Sequence, residues 1–145
     1  YLPASASQVS RLAAQWREQD MSKQITWLGS DSWESPQLDK AVAEGSFFSV
    51  HFVEEDGRPE TRAWVEAYKA KYAVSPTTLA ALGYTATDTL LTAIQQEVAS
   101  TLARGEFEDI TGRFTFDAQH NPLKPVPVVQ LKAGKLVLAT YITLP

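Results

Sequence analysis

Residues 107–137 read FEDITGRFTFDAQHNPLKPVPVVQLKAGKLV, a run in which glycine and proline punctuate short apolar stretches. Gly112 breaks the segment before it, and residues 113–116 alternate polar with aromatic side chains as a half-buried strand does. Residues 117–122 carry the Asp, Asn and Pro chemistry of a long turn. Residues 128–132 and 135–141 then flank Ala133-Gly134, a tight connection that favours a hairpin, while Pro125 and Pro127 confine the incoming strand to an edge or a strand start. The C-terminal quarter is therefore expected to be antiparallel strands.

Upstream the pattern changes. Val9, Leu12, Ala13 and Trp16 recur at helical spacing, which predicts a helix over residues 7–20 capped by Ser5 or Ser7. The apolar segment 25–28 is too short for a helix and runs into Gly29-Ser30-Asp31-Ser32, so it reads as a strand and then a loop. Ser35-Pro36 predicts a short second helix ended by Gly45, followed by a Phe- and Val-rich strand over residues 46–53. Gly57-Arg58-Pro59 launches a third helix with Trp64, Tyr68 and Tyr72 on one face, expected in the core. Ser75-Pro76 starts a fourth, whose stripe of Leu79, Leu82, Ala86, Leu90 and Ile94 is expected to be largely buried. Helices alternating with single strands imply a parallel sheet, so the fold class is α/β with terminal antiparallel strands. Two strands before residue 110 are too few to cover four helices, which points to part of a larger α/β protein.

Composition bounds the function. A net charge of −4 and a pI near 5.1, with Lys and Arg scattered, argue against a nucleic-acid partner. The absence of cysteine removes disulfides, thiolate metal sites and cysteine nucleophiles. No run reaches membrane-spanning length, because the apolar stretch 79–94 is interrupted by Gly83, Thr85, Thr87, Asp88, Thr89 and Thr92. The two histidines, His51 and His120, belong to no ligand-spaced cluster, so no metal site is expected. Ser30 or Ser32 with Asp31 and His51 has the residue types of a hydrolase triad, but the loop GSDSW lacks the flanks of a nucleophile elbow. Phosphate-cradling loops of either common pattern are absent, and no cofactor is expected.

Three stretches in order, YLPASASQVSRLAAQW followed by ITWLGSDSWESPQL, then AVAEGSFFSVHF, then YAVSPTTLAALGYTATDTLLTAI leading into FEDITGRFTFD, resemble the branched-chain amino-acid type of periplasmic substrate-binding protein. The resemblance covers essentially the whole chain. It implies part of a two-lobed type I periplasmic-binding-protein fold, a Venus flytrap with a mostly parallel sheet, helices and terminal antiparallel strands. It further implies the C-terminal part of such a protein, with residues 1–53 in the second lobe, 54–109 in the first and 110–145 returning to the second. The family often has Asp where Thr85 stands, and usually carries a turn and helix where the segment between Ile94 and Leu102 is short. The expected function is that of a non-catalytic solute receptor of an ABC importer. Its partners would be an amino acid or amide-like ligand and a membrane permease, and its location periplasmic or extracellular. A ligand-sensing module of a signalling system is the alternative from another class, and a small α/β hydrolase a weaker one. Exposed helix stripes would favour self-association of such a fragment.

A zwitterionic ligand needs opposite anchors. Asp31 follows a strand end, where open α/β sheets place ligands, and the resemblance implies that an acidic residue there holds the ligand's amino group. An ordinary loop or capping role is the alternative for Asp31, weakened because Ser35-Pro36 offers a better helix start. Ser5 and Ala6 fall where the family presents a ligand-facing loop; Ser5 as a plain helix cap is equally compatible with the sequence. Trp33 would wall the pocket beside Asp31 or pack on its own helix. Tyr84 matches a position near the interlobe side, or else is a core tyrosine with its hydroxyl satisfied.

Overall fold

The structure is a computed structural model and describes residues 1–19 and 25–143. The expected end of the first helix at Asp20 lies outside the described residues. Two compact units divide the chain: unit 1 is Tyr1–Val50 with Pro127–Thr140, and unit 2 is His51–Val126 with Tyr141–Pro145. Three connecting peptides therefore join them.

Unit 1 is built on a four-stranded sheet. Helix α1 (Ala6–Glu18) is followed by strand β1 (Leu28–Gly29), a single 3-10 turn (Asp31–Trp33) and strand β2 (Phe47–Ser49). The hairpin of β6 (Val126–Lys132) and β7 (Lys135–Ile142), numbered after the strands of unit 2, completes the sheet in the order β1-β2-β6-β7. Strand β1 runs parallel to β2, Leu28 opposite Phe47, while β2 and β6 are antiparallel with Phe48 opposite Val129. Parallel and antiparallel pairing thus meet in one sheet, as the alternation of helices and strands followed by a hairpin requires. Along β6 burial alternates, with Pro127, Val129 and Leu131 inward; Phe48 pairs with Val129, and the fully buried Trp33 packs its ring 5.9 Å from that of Phe48. The hairpin turns at Ala133 and Gly134, both with positive φ, and Glu44 accepts hydrogen bonds from both amides.

The helix expected from Ser35 to Gly45 does not form; residues 36–45 make successive turns. Its polar side chains compete for the backbone, since Ser35 Oγ accepts from the Gln37 amide and Asp39 Oδ1 from the Ala41 and Val42 amides. Ser10 of α1 accepts from the Asp39 amide at 2.8 Å and Arg17 donates to the Ala41 carbonyl at 2.6 Å, so α1 fixes these turns.

Unit 2 contains helices α2 (Pro59–Tyr72), α3 (Thr78–Ile94) and α4 (Val98–Arg104), and a three-stranded antiparallel sheet of β3 (Phe107–Asp109), β4 (Gly112–Phe116) and β5 (Pro122–Leu123). The short segment after Ile94 thus holds a helix. Proline at the first position of α2 loses no hydrogen bond. The cap of α3 is Thr77, whose hydroxyl accepts from the Ala80 amide at 3.2 Å, rather than Ser75. Phe52, Val65, Ala81 and Ile110 form the core, with Trp64 packed against it. Two helix faces differ from expectation. Helix α3 buries its small and threonine face, Ala81, Thr85, Thr89 and Ala93, and exposes Leu79, Leu90 and Ile94. Helix α2 buries Thr61 and Val65, and the ladder Trp64-Tyr68-Tyr72 grades outward to a Tyr72 that is 52% exposed. Small side chains let α3 approach its neighbours closely, which the larger leucines would prevent.

Candidate functional site

Four of the five residues singled out in the sequence lie in unit 1, around the carboxyl end of β1. The chain leaves Gly29, turns through Ser30, Asp31 and Ser32, and plunges at Trp33 into the core. Asp31 is exposed and opens the 3-10 turn, with its own carbonyl accepting from the Glu34 amide at 2.9 Å. It is the first residue of that turn rather than its cap, which is Ser30. Ser30 and Ser32 hydroxyls pair at 2.9 Å across the top of the turn.

The N-terminal segment runs beside this turn. The Leu2 amide donates to the Leu28 carbonyl at 2.8 Å, placing residues 1–4 alongside β1. Two side chains of the Asp31 turn then converge on one acceptor: Ser32 Oγ and Trp33 Nε1 both donate to the Ala4 carbonyl, each at 3.1 Å. Ser5 is exposed at the N-cap of α1, and its amide donates to Gln8 Oε1 at 3.0 Å, the reaching-back half of a capping box. Ala6 begins the helix and is buried. The structure thus brings the Asp31 turn and the Ser5-Ala6 helix start together, stitched through Ala4. Asp31 is exposed on this turn, and the N-terminus of α1 beside Ala4 carries partial positive charge.

Trp33 does not line open space. It is 0% exposed, with its ring 5.9 Å from that of Phe48 and directly beneath Gly29. A pocket-walling role gives way to a supporting one: the indole is the post on which the Asp31 turn rests. Tyr84 belongs to unit 2, where its ring packs 5.4 Å from Trp64 while the residue remains 44% exposed. It is not a core tyrosine. Sequence reading missed Ala4 altogether, because the contribution is a backbone carbonyl and no side-chain pattern marks it.

The hydrolase residue types receive no support. Ser32 Oγ is committed as a donor to Ala4, and Ser30 Oγ to Ser32, so neither hydroxyl is held by a base. His120 sits in the turn after β4 with φ of 65°. Among the described residues no three His, Cys, Asp or Glu side chains are grouped to hold a metal ion, and no helix is long and apolar enough to cross a membrane.

The sequence model of the periplasmic binding protein family matches residues 3–135. Among solved structures, a leucine-binding protein of Thermotoga maritima is similar at 25% identity and a TM-score of 0.77, the match covering 99% of this chain and 44% of that one. A branched-chain amino acid transporter substrate-binding protein of Streptococcus pneumoniae, solved with isoleucine, gives 25% identity, a TM-score of 0.76, and coverage of 98% and 43%. An ABC transporter solute-binding protein of R. palustris, solved with benzoate, shares the fold at 23% identity and a TM-score of 0.68, covering 97% and 41%. This chain therefore spans less than half the length of these structures. A search of curated proteins gives no match.

Proposed function

The chain belongs to the periplasmic binding protein family, and from that premise we propose that it is part of the solute receptor of an ABC importer. Its ligand would be an amino acid or a similar small polar molecule held between two lobes. The reading is carried by one observation, the joint anchoring of the Asp31 turn and the Ser5-Ala6 helix start on the Ala4 carbonyl. Asp31 would accept the ligand's ammonium, and the Ser5 hydroxyl with the first amides of α1 would donate to a polar group beside it. Trp33 would keep the turn in place from below. Leucine and isoleucine are the amino acids named for two of the similar proteins, which makes aliphatic amino acids the first class to test.

Residues 1–53 and 110–145 would belong to the second lobe and residues 54–109 to the first, while the compact units divide at residues 50–51, 126–127 and 140–141. Tyr84, on α3, is proposed as a further ligand-binding residue. Ligand would favour closure only by its differential affinity for the closed state, and the closed receptor would dock on a membrane permease. No catalytic role is assigned, and the location would be periplasmic or extracellular. In a thermal-melting screen of the full-length protein against amino acids, small amides and carboxylates, an authentic ligand stabilises by about 2.7 kcal/mol at a hundredfold excess over Kd. Mass spectrometry should recover that ligand intact. Its consumption would overturn the reading.

A further inference from the structure

Unit 2 holds a buried polar cluster that ligand binding does not use. Asp56, whose side chain is 2% exposed, accepts from the Arg58 amide at 2.9 Å and from Arg58 Nε at 2.7 Å. The guanidinium also donates to the Asp109 carbonyl at 2.8 Å and the Ile110 carbonyl at 2.6 Å, and hydrogen-bonds the Tyr141 side chain. Thr61, fully buried, bridges Asp56 Oδ2 and the Ile110 carbonyl. On the other side of the same turn, Lys124 Nζ donates to Thr111 Oγ1 at 2.9 Å, and Thr111 in turn donates to Asp109 Oδ1 through both its amide and its hydroxyl.

The positions of these residues along the chain matter more than their number. The units are joined at residues 50–51, 126–127 and 140–141. Arg58 lies shortly after the first connection, Lys124 just before the second, and Tyr141 begins the segment after the third. Arg58 and Lys124 are tied to a single turn, residues 109–111, and Tyr141 is tied to Arg58. A fan of charge-assisted bonds to backbone carbonyls is stronger and more directional than apolar contact, and a buried carboxylate cannot lose its guanidinium cheaply.

We propose that this cluster is a clasp, with Arg58 as its positioning residue, that binds the three connecting segments rigidly into unit 2 and so confines bending to the connecting peptides themselves. The clasp rests on the solute-receptor reading for its purpose, since a receptor that closes by a hinge needs flexible pivots and stiff approaches. Burial lowers the Lys124 pKa while the charge of Asp109 opposes the shift, as suits an ammonium kept inside a polar network.

Hydrogen exchange of the ligand-free full-length protein tests the clasp apart from any ligand. Arg58→Met combined with Asp56→Asn removes the guanidinium without stranding a buried carboxylate. Exchange at residues 51–58, 109–112 and 141–143 should then quicken together by about tenfold or more, as local opening free energy falls, while α1 in unit 1 keeps its protection. Lys124→Met should quicken only residues 123–126 and 111–112. Acceleration confined to the turn at 109–112, with the connecting segments unchanged, would overturn the clasp. If the double variant loses protection throughout, Lys124→Met decides, and no change at 123–126 would refute it. A clasp that behaves as described in a protein that binds no solute would refute the receptor reading and leave the clasp standing.

Discussion

Gly29→Ala perturbs the support of the candidate site at one atom. A Cβ built on Gly29 would fall among Cδ2, Cε2 and Cε3 of Trp33, all inside the 3.0 Å that real Cβ atoms keep, with Cε3 at 2.7 Å. The indole has no room to retreat, since it is fully buried against Phe48 and its Nε1 is pinned to the Ala4 carbonyl. Overpacking of a filled core costs about 1–3 kcal/mol. If the ring swings away instead, the hydrogen bond to Ala4 is lost, at about 1 kcal/mol. The loss expected is therefore about 1–3 kcal/mol, which at a urea m-value of about 2 kcal/mol/M lowers the midpoint by about 0.5–1.5 M. Trp33→Leu removes the fused ring that the new methyl would strike. A double-mutant cycle should accordingly return a coupling of about 1–3 kcal/mol, the second substitution costing less once the first is present. Because Asp31 lies between Gly29 and Trp33, ligand affinity should fall with stability. A Gly29→Ala protein within about 0.5 kcal/mol of the parent would refute the close packing of Trp33 beneath the turn.

Two smaller effects follow from local geometry. Ala73 ends α2 in the left-handed region, φ 57°, with its amide donating to the Lys69 carbonyl, so Ala73→Gly should relieve about 1 kcal/mol of strain and raise Tm by a few degrees. The Asn121 amide and side chain, with the Gln119 amide, hold the Asp117 carboxyl below its usual value of 3.8. A depressed carboxyl contributes stability that is present above the unfolded value and lost as pH falls through the folded one. The amide resonances of Gln119 and Asn121 should therefore shift on acidification below about pH 3.8, and Asp117→Asn should abolish the titration.

The antiparallel C-terminal strands were legible because their signals are local: Gly112, the Asp117 turn and Ala133-Gly134 each act within a few residues. The segment after Ser35 was not, because its fate is set by Asp39 capping its own backbone and by Ser10 and Arg17 reaching in from α1. The leucine stripe of α3 misled for a related reason. Periodicity marks an apolar face but does not say which face a neighbour covers, and here the neighbour takes Ala81, Thr85 and Ala93. Asp31 was legible as a residue beyond a strand end, whereas its coupling to Ser5 runs through Ala4 and residues 28 and 29 positions away. Contacts of that range are products of folding and leave no spacing to read.

The solute-receptor account stands or falls on Asp31. Titration calorimetry should be run on the full-length protein and its Asp31→Ala variant, using whichever amino acid raises Tm in the screen. Removing the acceptor of a desolvated ammonium should weaken binding by about 2–5 kcal/mol, while the melting temperature of the unliganded protein, in which Asp31 is exposed, stays within a degree or two. Equal affinity in the two proteins would contradict the assignment of the ligand's ammonium to the turn that follows β1.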